Sequence, residues 1–270
     1  AKVGMGSRTY ENAKTVVAVA DRFREEGKEQ EATEILNTLN NKSVNAAVQI
    51  VKKTQSRNEQ SVRGTTAILP PSMQVLTGDF RIALDELPDN SVDLIFTDPP
   101  YDAETIPLYG DLARIGARIL KPGGSLIAYA GHYAVPEITA LMNEHLRYWW
   151  LLALKHQGNT ARLPGKWVMV EWKPLLWYVK GGRATNTFVA DLIESRQPDK
   201  HAHDWQQDVS EAQYLIERLT DPGALVVDPF CGSGTTLLAA FSLDRRAIGV
   251  ELDPERANVA RGRIYEHASA

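Results

Sequence analysis

The sequence predicts an α/β fold: a doubly wound, mostly parallel sheet with helices on both faces, preceded by a small helical segment. Three observations predict it. From Pro70 onward, apolar segments of strand length alternate with segments of helical period. Several strand segments, such as Val92–Phe96, are almost wholly apolar, as strands covered on both faces are. Three turn-like stretches each follow such a strand: Thr77-Gly78-Asp79, Asp98-Pro99-Pro100-Tyr101 and Asp228-Pro229-Phe230-Cys231-Gly232-Ser233-Gly234. Open α/β sheets gather ligands at those strand ends.

The elements follow in order. Tyr10–Arg24 spaces Val16, Val17, Ala20 and Phe23 as a helix does, and Gly27 ends it. Glu29–Leu39 repeats the pattern with Ala32, Ile35, Leu36 and Leu39. Ser43 suits the N-cap of Val44–Lys53, and the polar, aperiodic stretch Thr54–Thr66 reads as a linker. Residues 1–66 are therefore expected as a helical segment and linker, and residues 67–270 as the main domain. Strands are expected at Met73–Leu76, Val92–Phe96, Ser125–Tyr129, Tyr148–Leu154, Leu175–Val179, Leu225–Val227 and Ala247–Val250. Helices fit Asp111–Ile119, Val135–Asn143, Ser210–Arg218, Thr235–Leu243 and Pro254–Tyr265. There is no internal repeat and no low-complexity tract.

Composition narrows the class. The single cysteine, Cys231, forbids an internal disulfide and gives no sign of an oxidising compartment. No apolar run reaches the length that crosses a bilayer, and Ala1–Gly6 does not read as a signal peptide, so a cytoplasmic location is expected. The formal charge of -4 excludes little, since a nucleic-acid enzyme needs a basic face and not a basic total.

"VVDPFCGSGTTLLAA" is strand, glycine turn and helix. Gly232 and Gly234 permit close backbone approach, and Thr235 and Thr236 open a helix whose first amides are free. No lysine follows, so this is not a phosphate loop; Leu237 stands where a dinucleotide fingerprint has its third glycine. Glu251 ends the next strand, about 20 residues on, where a carboxylate accepts both hydroxyls of a ribose. Turns and solvated acids occur separately in any protein. Asp228, the glycines and Glu251 at this joint spacing point to a nucleoside cofactor. Asp79, at another strand end, can accept from an adenine amino group, although Gly-Asp is also a common turn.

In Asp98-Pro99-Pro100-Tyr101 the prolines fix φ and donate no N–H. The rim offers acceptors only, the Asp98 carboxylate and backbone carbonyls, beside the flat face of Tyr101. Its natural guest is an exocyclic amine on a ring. Hydrogen bonds from both N–H groups to Asp98 and the Pro99 carbonyl favour a pyramidal nitrogen whose lone pair can meet an electrophilic methyl.

"TDPPY" together with "DPFCGSGTT" resembles the S-adenosylmethionine-dependent amino-methyltransferases of DNA, in the β-group order with the catalytic motif first. The resemblance runs from about Met73 to the C-terminus. It implies a class I methyltransferase fold, a Rossmann-like seven-stranded sheet, circularly permuted, whose last strand is antiparallel. It implies that Asp98, Pro99, Pro100 and Tyr101 hold the target amine and base. Asp228, Phe230, Gly232, Ser233, Gly234 and Thr235 would line S-adenosylmethionine. Glu251 would take its sugar and Asp79 its adenine, Asp253 would also contact the cofactor, and Trp205 would border the methionine end. Many relatives have Lys-Pro where this chain has Gln206-Gln207.

DNA is the expected partner, with the target nucleotide extruded from the duplex or taken from a single strand. Asp102–Gly110 is expected as a lid over it. Recognition is expected at about residues 155–205, through Lys155, Arg162, Lys166, Lys173 and Arg183; Trp167, Trp172, Trp177 and Tyr178 are interleaved, most of them as core. The N-terminal helices resemble segments that follow ParB-type domains; DNA binding, homodimerisation and packing on the sheet are open to them. No metal is expected: His156, His201 and His203 form no zinc pattern. Asp98 at the head of the motif favours adenine N6 over cytosine N4, since cytosine-N4 members more often begin with Ser. Cytosine N4, a protein glutamine amide, and an inactive DNA-binding module are the other readings.

Overall fold

A computed structural model of the chain describes residues 6–155, 161–183, 187–194 and 206–269. They fall into two compact units, residues up to Val62 and residues from Arg63 onward.

The first unit contains helices α1 (Ser7–Glu25), α2 (Glu29–Asn41) and most of α3 (Val44–Gly64). Its core is the expected stripes: Val16, Ala20 and Phe23 against Ala32, Ile35 and Ala47. Gly27 turns the chain at φ 77°, a left-handed conformation that glycine adopts without a Cβ clash. Ser43 Oγ accepts from the Ala46 N–H, the expected cap. The stretch expected as a linker is mostly helix, since α3 runs on to Gly64. Its Gln, Arg and Glu side chains favour helix, and neither Gly nor Pro interrupts it before Gly64. The polar composition there marks an exposed helix, not an irregular backbone.

The second unit runs β1 (Met73–Thr77), α4 (Phe80–Ala83), β2 (Val92–Thr97), α5 (Pro107–Ile119), β3 (Leu120–Tyr129), α6 (Val135–Asn143), β4 (Arg147–Lys155), β5 (Ala161–Leu163), β6 (Val168–Val170), β7 (Lys173–Val179), β8 (Leu192–Glu194), α7 (Gln206–Leu219), β9 (Leu225–Asp228), α8 (Thr235–Ser242), β10 (Arg246–Glu251) and α9 (Pro254–Ala268). All seven expected strands form. The sheet has the order β1-β10-β9-β2-β3-β7-β4-β8, and every pairing within it is parallel except those of β7. This is the Rossmann-like architecture expected, with β8 added as an eighth, edge strand. The antiparallel strand lies between β3 and β4 and precedes the glycine-turn strands in the chain. Three-residue strands such as β5, β6 and β8 are too short for a period of two to announce them.

Alternate residues on each strand enter different layers, as the pleat requires. Leu94 and Ile127 face a core shared with α7, α8 and α9; Ile95 and Leu126 face the core under α5 and α6. The sheet is thus apolar on both sides, the reason its strands read as continuous apolar runs.

The connections place the site. From β9 the chain proceeds to β10 on one side, and from β2 to β3 on the other. β9 and β2 are paired neighbours, with Ile95 opposite Val227, so the crevice of a doubly wound sheet opens beyond their carboxyl ends. Gly249 on β10 seats the glycine turn: an added Cβ would come within 2.8 Å of Cys231 Cβ and Sγ. Gly249→Ala is expected to destabilise the protein by about 1–3 kcal/mol through overpacking and to displace the turn; urea unfolding measures the first effect, and the affinity for a labelled nucleoside cofactor the second.

Candidate active site

The carboxyl ends of β1, β10, β9, β2 and β3 open into one cavity of about 1180 Å³. Its lining brings together residues far apart in the chain: Asp79, Asp98, Tyr101, Asp228, Gly232 and Glu251.

The two central strand tips are joined directly. Thr97, the last residue of β2, donates its hydroxyl to Asp228 Oδ1 at 2.7 Å, fully inside the protein. The same oxygen accepts the Phe230 N–H at 3.1 Å. Asp228 is 4% exposed, and burial pushes its pKa up to about 6 against these hydrogen bonds. Glu251 is held in a similar way: Oε2 accepts from Gly232 N–H at 2.9 Å and Oε1 from Asp253 N–H at 2.9 Å. Each of those oxygens retains a second lone pair for a hydroxyl. Phe80 and Phe230 pack ring to ring at 4.9 Å and form an apolar wall.

Asp98 begins the rim beyond Thr97. Asp98 is exposed toward the cavity, and partial desolvation of its carboxylate by the surrounding protein raises its pKa. The Tyr101 hydroxyl donates to Asp98, which works in the opposite direction, as does the Lys173 ammonium. Thr105, which also lines the cavity, ties the rim, its hydroxyl donating to the Pro100 carbonyl at 2.9 Å and lying 2.7 Å from the Asp102 carbonyl. Tyr133 donates to the Tyr101 carbonyl. Acceptor groups and an aromatic face therefore meet a glycine turn with two buried carboxylates, in one concavity.

Residues 194–262 match the family described as DNA methylase, with N6 and N4 methyltransferase members. Two relatives match over most of the chain. The candidate methylase YubD of Escherichia coli strain K12 is 28% identical, the match covering 66% of this chain and 83% of that one. The type II methyltransferase M.BglII from Bacillus subtilis is 25% identical over 69% of this chain and 67% of its own length. The chain is thus similar to DNA methylases in its C-terminal part and to methyltransferases over about two thirds of its length. Among solved structures, a candidate DNA modification methylase from Thermus thermophilus superposes with a TM-score of 0.59 at 25% identity, covering 71% of this chain and 94% of that one. The PvuII DNA methyltransferase, described as cytosine-N4-specific, shares the fold with a TM-score of 0.59 at 18% identity, over 75% of this chain and 96% of its own.

The remaining expected residues occupy varied positions. Asp79 and Thr235 line the cavity, but the Asp79 carboxylate already accepts from Arg81 at 2.5 Å and caps α4, and Arg81 holds its pKa below the usual range. Asp253 lines the cavity and caps α9 through Glu255 N–H at 2.8 Å. Ser233 is directed elsewhere, its hydroxyl accepting from Arg263 at 2.7 Å. Gly234, at φ 83°, lies against α9, where a Cβ would meet Ala260 Cβ at 3.1 Å. Trp205, His156, His201 and His203 lie outside the described residues. Cys231 is buried, which pushes its thiol pKa up and suits packing.

The lid is a correction. Asp102–Gly110 contains a 3-10 turn, Ala103–Thr105, and the first turn of α5. Tyr109 is 1% exposed and donates to the Tyr129 carbonyl at 2.7 Å, so the second half of the segment is core. Pro107, which suggested a loop, is the N-terminal proline of a helix.

The five basic candidates do not form one face. Arg162 and Lys166 are exposed on the β5–β6 hairpin, and Lys155 lies 3.7 Å from Glu194. Arg183 packs over the Trp177 ring at 5.0 Å and donates to the Arg218 carbonyl at 3.4 Å; burial lowers its pKa. Lys173 lines the cavity, 5.8 Å from the Tyr101 ring centre and 5.9 Å from that of Tyr129. Trp177 and Tyr178 are core, as expected, whereas Trp167 is 93% exposed. Sequence reasoning missed Thr97, Phe80, Tyr129 and Glu211 as site residues; Thr97 alone carried a signal, one residue ahead of the proline motif.

Thr97→Val is expected to cost about 1–3 kcal/mol in urea unfolding, because a buried carboxylate loses a donor. Asp228 titrates near 6 in the folded chain against 3.8 for an ordinary aspartate, so its stabilising protonation is complete below about pH 4 and lost as pH rises through about 6. Stability relative to Asp228→Asn is expected to shift in favour of the variant by roughly 2–3 kcal/mol between pH 4 and pH 7, read from unfolding curves at the two pH values.

Proposed function

We propose that this protein is a DNA amino-methyltransferase that moves a methyl group from S-adenosylmethionine to the N6 amine of an adenine extruded from DNA. The observation that carries the reading is the junction of the two motifs. The Asp98 rim and the Asp228 turn face one cavity, linked by the Thr97–Asp228 hydrogen bond. A cavity of about 1180 Å³ exceeds the roughly 300–1,000 Å³ usual for one small ligand, which suits a cofactor and a base together.

The donor and acceptor set fits S-adenosylmethionine, which supplies an electrophilic methyl group on a sulfonium. Glu251 offers two carboxylate oxygens to ribose hydroxyls, with Asp253 beside it. The apolar wall of Phe80 and Phe230 would hold the adenine ring, and Asp79 would accept from its amino group. Asp228 and the turn at Gly232 meet the charged methionine end, where the buried carboxylate favours an ammonium.

At the other wall Tyr101 stacks on the target base. Asp98 and the Pro99 carbonyl accept the two N–H bonds of its amine, which localises the lone pair on nitrogen. Asp98, now bonded to the Tyr101 hydroxyl, takes the amine in its place and accepts a proton as the nitrogen gains the methyl. Lys173 opposes the effect of desolvation on Asp98 and so favours its ionised, accepting form. Asp98 heading the motif supports adenine over cytosine. Residues 67–270 form the proposed methyltransferase domain, with target recognition at about 155–205.

The test is transfer of a labelled methyl group to duplex DNA, followed by digestion to nucleosides. Labelled N6-methyladenine is expected; N4-methylcytosine would overturn the adenine assignment, and no labelled nucleoside would overturn the reaction. Asp98→Ala is expected to lower the rate by about 10²-fold or more, the scale of a lost general base, with cofactor affinity unchanged in equilibrium dialysis. Lys173→Met is expected to move the acid limb of the pH–rate profile to higher pH, since Asp98 then lacks its nearby cation, while Lys173→Arg retains it.

A further inference from the structure

Because β7 is antiparallel, the chain leaves β4 and re-enters β7 at the cavity end of the sheet, with Leu154 opposite Lys173. That connection carries the hairpin β5–β6, in which Ala161 pairs with Val170 and Leu163 with Val168. Among the described residues the hairpin belongs to no larger sheet, and a lone hairpin is marginally stable in water. Its base is tied to the site. The Trp172 carbonyl lies 2.7 Å from His132 Nε2, the two rings meet edge-on at 4.5 Å, and Lys173 lines the cavity. From Trp167 to Lys173 the chain spans at most roughly 20 Å, at about 3.3 Å per residue.

The tip is built unusually. Lys166 N–H donates to the Leu163 carbonyl at 3.0 Å and Trp167 N–H to the Pro164 carbonyl at 3.3 Å, closing a tight turn. Trp167 then takes φ 55°, the left-handed position that such hairpins usually give to glycine. Its indole is 93% exposed. A bulky residue in a conformation that disfavours it, with a large apolar ring in water, combines two unfavourable features at one position, a combination associated with binding sites. Leu163 and Met169 add exposed apolar surface, Arg162 and Lys166 add exposed positive charge, and no acidic side chain lies between Ala161 and Val170. An apolar tip flanked by cations, beside a cavity that takes an extruded base, matches the interior of a polyanionic duplex better than a protein surface.

We propose that Trp167 is a wedge: it enters the duplex beside the extruded nucleotide and stacks on the bases that border the gap, with Arg162 and Lys166 on flanking phosphates. This rests on the DNA methyl-transfer reading above. Extrusion leaves neighbouring bases unstacked, and an indole in the gap offsets that loss.

The experiment compares wild type with Trp167→Gly, a change that suits φ 55° and preserves the turn, and with Trp167→Phe, which keeps a stacking ring. Labelled methyl transfer is measured on duplexes carrying a site mapped from wild-type methylation of genomic DNA, with the target either paired or opposite an abasic position. For Trp167→Gly, the rate on the paired target should fall about tenfold or more; opposite the abasic position, where extrusion costs less, it should return to within about threefold of wild type. Trp167→Phe should lie between them on the paired target. Equal loss on both targets, or no loss, would overturn the wedge while wild-type activity upholds the reaction. Absence of wild-type transfer to any DNA would remove the reaction and the wedge together.

Discussion

The hydrogen bond from Thr97 to Asp228 is the constraint on which the rest of the site depends. It connects the tips of two neighbouring parallel strands that stand 131 residues apart in the chain. One tip continues into a stiff rim of acceptors and the other into a glycine turn. Without a fixed relation between them, a donor held by one and an amine held by the other would not meet at bonding distance. The bond also keeps a buried carboxylate supplied with donors, Thr97 from one strand and Phe230 from its own turn, and so stabilises a charge that burial alone would expel.

Around this junction the buried polar groups serve positioning. Glu251 holds the Gly232 and Asp253 amides while keeping lone pairs toward the cavity. Arg81 fixes Asp79. Thr105 and Tyr133 clamp the proline rim through the Pro100 and Tyr101 carbonyls. Several residues that read as ligand contacts are therefore also caps and turn locks, and the two roles are compatible because a carboxylate oxygen accepts more than one hydrogen bond. Gly249 and Gly234 serve the same end by letting the turn settle against β10 and α9.

The antiparallel strand β7 has a consequence beyond the sheet. It brings Lys173 to the cavity rim and brings the β4–β7 connection, with its hairpin, to the face that a duplex would approach. Parallel strands are joined by crossovers that return the chain to the opposite end; one reversed strand instead delivers a loop to the ligand side.

Much of this was written locally in the chain. Seven strands, the N-terminal helical stripes, the glycine turn and the proline rim were legible because each depends on spacing and residue type within about a dozen positions. Tertiary structure decided what those rules cannot reach. It made α3 continue through a polar stretch, since exposure and irregularity look alike in composition. It buried Tyr109 within what read as a lid, placed Arg183 on Trp177, and brought Lys173 into the cavity. It also left Trp167 in water while Trp177 entered the core. Periodicity says that a side chain faces one side of its own strand or helix; which distant segment covers that side, or whether any does, is set by long-range packing.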